Sequence, residues 1–288
     1  MNDEQLIELA FLIKAEEDAE LKKLLEQAEY QFVSVLIEYI LAIESTMEDA
    51  LQADYEEIQE IVDKITAKFT KKAPTEKRIR RYLKKRSFKA RVQSDVLPKL
   101  EDAFFVLLEE FKEMYGSYGE FDSKSEAYKE LQEWLEKLPD LLKETTDNTV
   151  VREIDKFYSK EEDKKDNGLS IAELAVFGYF RARSIAIAEI LRMYGSSQYE
   201  AMMLHQHVIG SQWQHADGVK EPRPAHVAAN GMYAAKGEFF YINGTYFRYP
   251  RDPKAPIEET INCHCYLVPV FDYIWNVMNF DIERSKVN

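Results

Sequence analysis

The chain has 288 residues, enough for one large domain or two of ordinary size, and its apolar fraction of 45% is that of a folded protein. A formal charge of −14 argues against wholesale wrapping of nucleic acid. No apolar run approaches the ~20 residues that span a bilayer, and the opening MNDEQLIELAFLIKAEEDAE lacks the basic start and small-residue cleavage site of a secretory signal.

From Asp3 to Phe69 no residue breaks a helix. Leu21, Leu24, Leu25, Ala28, Phe32, Val35, Leu36, Tyr39, Ile40, Ile43 and Met47 recur at three- and four-residue steps, and Ile58, Ile61, Val62, Ile65 and Phe69 resume the pattern. This periodicity predicts a long amphipathic helix, either packed on a partner or closing in a bundle on its own chain.

Pro74 interrupts the pattern, and a basic island follows. Between Lys71 and Arg91 there are eleven Lys/Arg and one acid, on an otherwise strongly acidic chain. Lys77, Arg81, Lys85 and Lys89 lie at four-residue steps, so one continuous helix would present them as a stripe, with Ile79, Leu83 and Ala90 lining the opposite side. Such a stripe suits non-specific contact with the phosphates of double-stranded DNA, or docking on an acidic protein, or simple solvation.

LEDAFFVLLEEFKEMY predicts another helix, and AYKELQEWLEKL one that ends at Pro139; VVREIDKFY predicts a short one. EEDKKDNGLS resembles a calcium loop only superficially. With Gly168 as its sixth residue, Lys165 and Leu174 fall where ligands are needed. The loop is better read as closing onto a capping box, Ser170 with Glu173, which starts a helix that Gly195 stops.

All five histidines and both cysteines lie between Met203 and Pro269. There FFYI, Asn243-Gly244 and TYFRY predict a β-hairpin, RYPRDPKAP an extended crossing, and INCHCYLVPV a buried last strand. FDYIWNVM predicts a closing helix and DIERSKVN a tail. Cys263 and Cys265 are too close in sequence to frame a disulfide scaffold, which leaves free thiols or a metal. His226, with His215 or Asp217, would complete a four-ligand zinc set of thiolates and imidazole. Against this, one-residue spacing on an extended strand holds the two Cα atoms ~6.7 Å apart, so the chain must bend for both thiolates to reach one ion. Two buried thiols packing a small core is the alternative. Trp213 reads as a core anchor, Asp217, Arg223 and His226 as a structural network, and His205 and His207 as surface residues.

Trp213, Asp217, Arg223, His226 and Gly231, then a Phe/Tyr-rich stretch, Pro250, Pro253 and the closing Asn262-Cys263-His264-Cys265 resemble the phage Mu F-like head morphogenesis family, the minor capsid proteins of tailed phages. The resemblance covers about residues 170–270. It departs from the family pattern at Ile187 and Ala188, where Arg-Thr is usual, and at His264, where Arg is usual. It implies a low-copy structural protein of the virion, inside the head beside the portal, made in the bacterial cytoplasm and acting in head morphogenesis and in DNA packaging or delivery. A metal-dependent or ADP-ribosyltransferase-like enzyme is an alternative, as is the carrier domain of a polymorphic toxin, but no nucleophile elbow, P-loop or dinucleotide fingerprint is present. The expected fold is mainly α with a C-terminal α+β domain. It divides into a helical arm or bundle over 1–168, the head-morphogenesis domain over 169–272 with a small antiparallel sheet, and a tail over 273–288.

Overall fold

The computed structural model describes residues 18–70, 72–159, 172–216 and 222–273, and of 172–179 the backbone alone. These residues are mainly helical, with a small antiparallel sheet in the C-terminal region, as expected. No helix among them is long and apolar enough to cross a membrane. The Ser170 cap and its loop lie outside the described residues, as do the tail and the closing helix beyond Tyr273.

Helices α1 (residues 18–27) and α2 (Val33–Lys68) are separated, so the uninterrupted first helix is not formed. Glu29 and Phe32 adopt left-handed backbone, with φ of 58° and 55°. The break turns Tyr30 inward, its ring edge-on to Tyr194 with centroids 5.0 Å apart. A tertiary contact has overridden an intact helical pattern.

Helix α3 (Glu76–Leu83) and the single turn α4 (Phe88–Arg91) follow, then a π-helical turn (Val92–Val96) that runs into α5 (Leu97–Tyr115). The pair of helices expected around Pro139 is one helix, α6 (Glu126–Ser159), with Pro139 inside it. Proline there removes a backbone hydrogen bond. The buried Leu131, Leu135 and Leu138 before it, and Val150, Val151 and Ile154 after it, hold both halves in place. Helix α7 (Ala172–Leu204) likewise runs through Gly195 instead of stopping there. A Cβ at Gly195 would lie 2.8 Å from the carbonyl oxygen of Pro250, so glycine serves a close approach of loop to helix.

The chain forms two compact units that are not consecutive in sequence: Met1–Glu38, Ala103–Tyr128 and Ile190–Asn288 make one, and Tyr39–Asp102 with Lys129–Glu189 the other. The linear division at 168/169 follows composition, whereas α2, α5, α6 and α7 each give residues to both units.

The second unit is helical. Ile58, Val62 and Ile65 of α2, Ile79 and Leu83 of α3, and Val150, Val151 and Ile154 of α6 form one core cluster. Ala90, expected on the buried side of the basic stripe, is exposed; Phe88 is the buried residue of α4. Among these apolar residues Arg86 is buried and bridges Asp54, at 2.6 Å, and Asp147.

The first unit carries the sheet, β1 (Val208–Gln214), β2 (Tyr233–Ala235) and β5 (Tyr266–Phe271), in the order β2-β1-β5 and antiparallel throughout. Gln212 of β1 lies opposite Tyr233 on one side and Val268 on the other. The expected hairpin pairs β3 (Phe240–Ile242) with β4 (Thr245–Phe247) across Asn243 and Gly244, whose φ of 51° and 78° suit the primed turn that the dipeptide signals. Short helices α8 (Pro224–Ala228) and α9 (Ile257–Thr260) fill the connections. Residues 263–265 precede β5 as a loop, so the last strand is shorter than expected. Trp213, Phe240, Phe247, Tyr249, Leu267 and both cysteines are buried together.

Candidate metal centre

Three separate devices bring the donors together. Strand β1 ends at Gln214 and delivers His215 just beyond it. Arg223, with extended backbone, precedes α8, and proline at the first helical position starts the turn that carries His226. Left-handed backbone at Asn262, φ 52°, bends the chain out of α9 so that Cys263 and Cys265 enter the core in a loop. That bend removes the distance penalty that a straight strand would impose.

Cys263 Sγ lies 3.5 Å from His226 Nδ1, Cys265 Sγ lies 3.8 Å from the same nitrogen, and His215 Nδ1 is 3.6 Å from Cys265 Sγ. The donor atoms of His226, Cys263 and Cys265 all fall within 4.8 Å of one another, and the three residues are at most 4% exposed. Of the expected site residues, His226, Cys263 and Cys265 are thus gathered, and His215 lies beside Cys265 but outside that group of three. Asp217 lies outside the described residues. Of the pair read as surface histidines, His207 is exposed, but His205 is buried and its Nδ1 accepts a hydrogen bond from the His207 amide at 3.1 Å.

The surroundings fix the orientation of His226. Glu259 Oε2 is 3.2 Å from His226 Nε2, which places the proton on that nitrogen and leaves the Nδ1 lone pair facing the sulfurs. Glu259 is held in turn by Asn243 of the hairpin turn, whose Nδ2 donates to Oε1 at 2.6 Å. Arg223 donates to the carbonyls of Glu258, at 3.0 and 2.7 Å, and of Ile261, at 2.5 Å, and so pins the turn that leads to Asn262. Trp213 packs edge-on to the imidazole with ring centroids 5.4 Å apart, and its carbonyl accepts the Gly231 amide at 2.7 Å. Tyr30 donates to the carbonyl of His264 at 2.8 Å. Burial, assisted by Arg251, lowers the His264 imidazole to about 4, so this middle residue of the motif is neutral near pH 7.

The two sulfurs titrate as a pair. The thiol of Cys265 hydrogen-bonds Cys263 and holds it well below the ordinary thiol range against the cost of burial, with help from Arg251. The same bond, with burial, raises Cys265. Arg251 is wholly buried, and its Nε and Nη2 have no hydrogen-bond partner among the described residues. Trp213 Nε1 is also buried without a hydrogen bond of ordinary geometry, and a thiolate at Cys265 is the charge its N–H favours. Sequence reasoning missed Glu259, Asn243, Arg251 and Tyr30 as parts of this site.

Cys263, His226 and Glu259 stand in the order of nucleophile, base and orienting carboxylate. Two sulfurs share one imidazole lone pair, however, and both are buried beneath the sheet-bearing core. The arrangement suits coordination of a soft cation better than attack on a substrate.

The basic stripe does not form on one helix. Lys77 and Arg81 lie on α3, which ends at Leu83; Lys85 is in the following turn, and Lys89 on α4 pairs with Asp140 at 2.6 Å. Much of the island turns to its own unit: Arg86 to Asp54 and Asp147, Arg91 to Glu57 at 2.6 Å, Arg80 to Glu76 at 2.7 Å. Lys77, Arg81, Lys84 and Lys85 remain exposed.

No family model matches the chain, and no solved structure matches it. It is 31% identical over 145 residues to a Bacillus subtilis (strain 168) protein whose printed name is "Uncharacterized protein YqbB". The match covers 49% of this chain and 48% of that protein, so the chain spans about half the length of this relative.

Proposed function

We propose that the chain is a structural head protein of a tailed phage, lying inside the head beside the portal and acting in head assembly and DNA packaging or delivery. One observation carries the reading. Trp213, Arg223, His226, Gly231, Cys263 and Cys265, which carry the likeness to the Mu F-like head proteins, are spread over about fifty residues of sequence yet belong to one packed and hydrogen-bonded knot, and Asn262 makes the bend that leads both cysteines into it. Short motifs that matched by chance would have no reason to meet. Ile187, Ala188 and His264 remain departures from that pattern.

Within this reading the portal is the partner that the exposed cations suit. Lys77, Arg81, Lys84 and Lys85 form a short exposed face, while Arg86, Lys89 and Arg91 are engaged in ion pairs. A face of four charges fits an acidic patch on a protein better than it fits a length of duplex. Quantitative proteomics of purified particles against the lysate tests the role: low-copy enrichment in particles is expected, and exclusion from them would overturn it. A portal pull-down beside a gel shift at two salt concentrations tests the partner. Changing Lys77, Arg81, Lys84 and Lys85 to Gln should abolish portal capture. If it instead removes duplex binding whose affinity falls by about 0.9 log units per contact for each decade of salt, DNA is the partner.

A further inference from the structure

We propose that His226, Cys263 and Cys265 bind one Zn2+ in a tetrahedral site that staples the end of β1, α8 and the loop before β5, and that His215, beside Cys265, turns in as the fourth ligand when the ion binds. The inference is independent of the head role, since such an ion would serve any function of this unit.

Spacing is the first argument. Zn–S bonds of about 2.3 Å and Zn–N bonds of about 2.0–2.1 Å at tetrahedral angles set S···N separations of roughly 3.6 Å. The three S···N separations here are 3.5, 3.6 and 3.8 Å. Thiol hydrogen bonds could produce one such distance, but His226 Nδ1 has a single lone pair and two sulfurs beside it. A cation between the donors uses that lone pair once and both sulfurs together.

The surroundings point the same way. Glu259 holds His226 by Nε2, the carboxylate–imidazole relay that commonly orients a metal-bound histidine. The buried N–H groups of Trp213 and Arg251 that lack a partner of ordinary geometry would face thiolates, which accept hydrogen bonds, instead of neutral thiols. Two thiolates and two imidazoles select zinc over calcium or magnesium, which take oxygen ligands. With His215 as fourth ligand no coordination position is left for water, so the ion is structural.

The test uses the full-length chain, purified without chelator. Elemental analysis should find about one zinc per chain. After chelation, titration with Co2+ should give thiolate-to-cobalt charge-transfer bands and the intense visible bands of a tetrahedral ion, saturating at one equivalent and bleached by Zn2+. One equivalent of Zn2+ should also protect both thiols from alkylation. Glu259→Gln, which spares every ligand, should weaken metal binding roughly 10- to 100-fold, and His207→Ala should leave it unchanged. His215→Ala should lose the tetrahedral cobalt signature. Thiols that alkylate equally fast with and without zinc, together with no cobalt bands in the wild type, would overturn the proposal without need of any variant. A wild-type cobalt spectrum in His215→Ala would overturn the closed four-ligand assignment.

Discussion

The helical unit and the sheet-bearing unit are held together by different means. In the helical unit, long stretches of α2 and α6 bury regular apolar stripes, and the polar interior is closed by charged pairs such as Arg86 with Asp54. In the other, strands β2, β3 and β4 are three residues each and α8 and α9 only five and four, lengths that carry little stability by themselves. What joins them is a set of long-range side-chain contacts around His226, Cys263 and Cys265. The difference teaches that where elements are short, a few convergent polar groups do what periodic packing does elsewhere.

The comparison breaks most sharply if the donor cluster is irrelevant to stability. Free zinc at 1,000 times its dissociation constant would stabilise the folded chain by about 4 kcal/mol. Chelation should therefore lower the melting temperature. It should strip hydrogen-exchange protection from residues 208–216 and 257–271, and leave α2 between Tyr55 and Ile65 protected. Uniform loss of protection in both units would show that the cluster is not a local fastening.

Next come the anchors of each unit. Trp213→Ala removes a wholly buried ring and should cost about 3–5 kcal/mol. Arg86→Ala leaves Asp54 buried and unpaired and should cost a similar ~3–5 kcal/mol. Denaturant unfolding measures both. Replacing Arg86 and its two acids with apolar residues of similar volume should recover much of the loss, whereas no such swap is expected to replace the thiol–imidazole cluster.

Pro139 and Gly195 show where local reading stops. Each is a helix breaker by type, yet each sits inside a helix because packing on both sides, or the approach of Pro250, outweighs the local preference. The break at Glu29–Phe32 is the converse, since nothing in that pattern announces that Tyr30 must turn inward. Helical content, the Asn243-Gly244 hairpin and the residue types of the cluster were legible because they depend on period, turn chemistry and donor type. Glu259 and Arg251 were not, because an acid in a four-residue helix and an arginine between prolines look like surface residues until the chain is folded.

A smaller effect separates the units by pH. Burial raises the Asp54 carboxyl to about 6, with Arg86 opposing, above its ordinary range. The folded chain therefore keeps a proton that the unfolded chain has lost between about pH 4 and 6, so this group lowers stability as pH rises through that window. The swing is on the order of 2–3 kcal/mol. Asp54→Asn should flatten it, read as the difference in unfolding free energy between wild type and variant at several pH values. A swing that persists in Asp54→Asn would place its origin elsewhere.

The smallest effect is expected at the exposed cations. Changing Lys77, Arg81, Lys84 and Lys85 singly to Gln should each move stability by no more than about 0.5 kcal/mol. A larger loss in a thermal melt would mean that this face is part of the fold and not free for a partner.

The most direct measurement of the central claim is X-ray absorption at the zinc edge on the zinc-loaded full-length chain. The account predicts two sulfur scatterers at about 2.3 Å and two imidazole nitrogens at about 2.0–2.1 Å. A shell with one sulfur or none, or one completed by water oxygens, would contradict it.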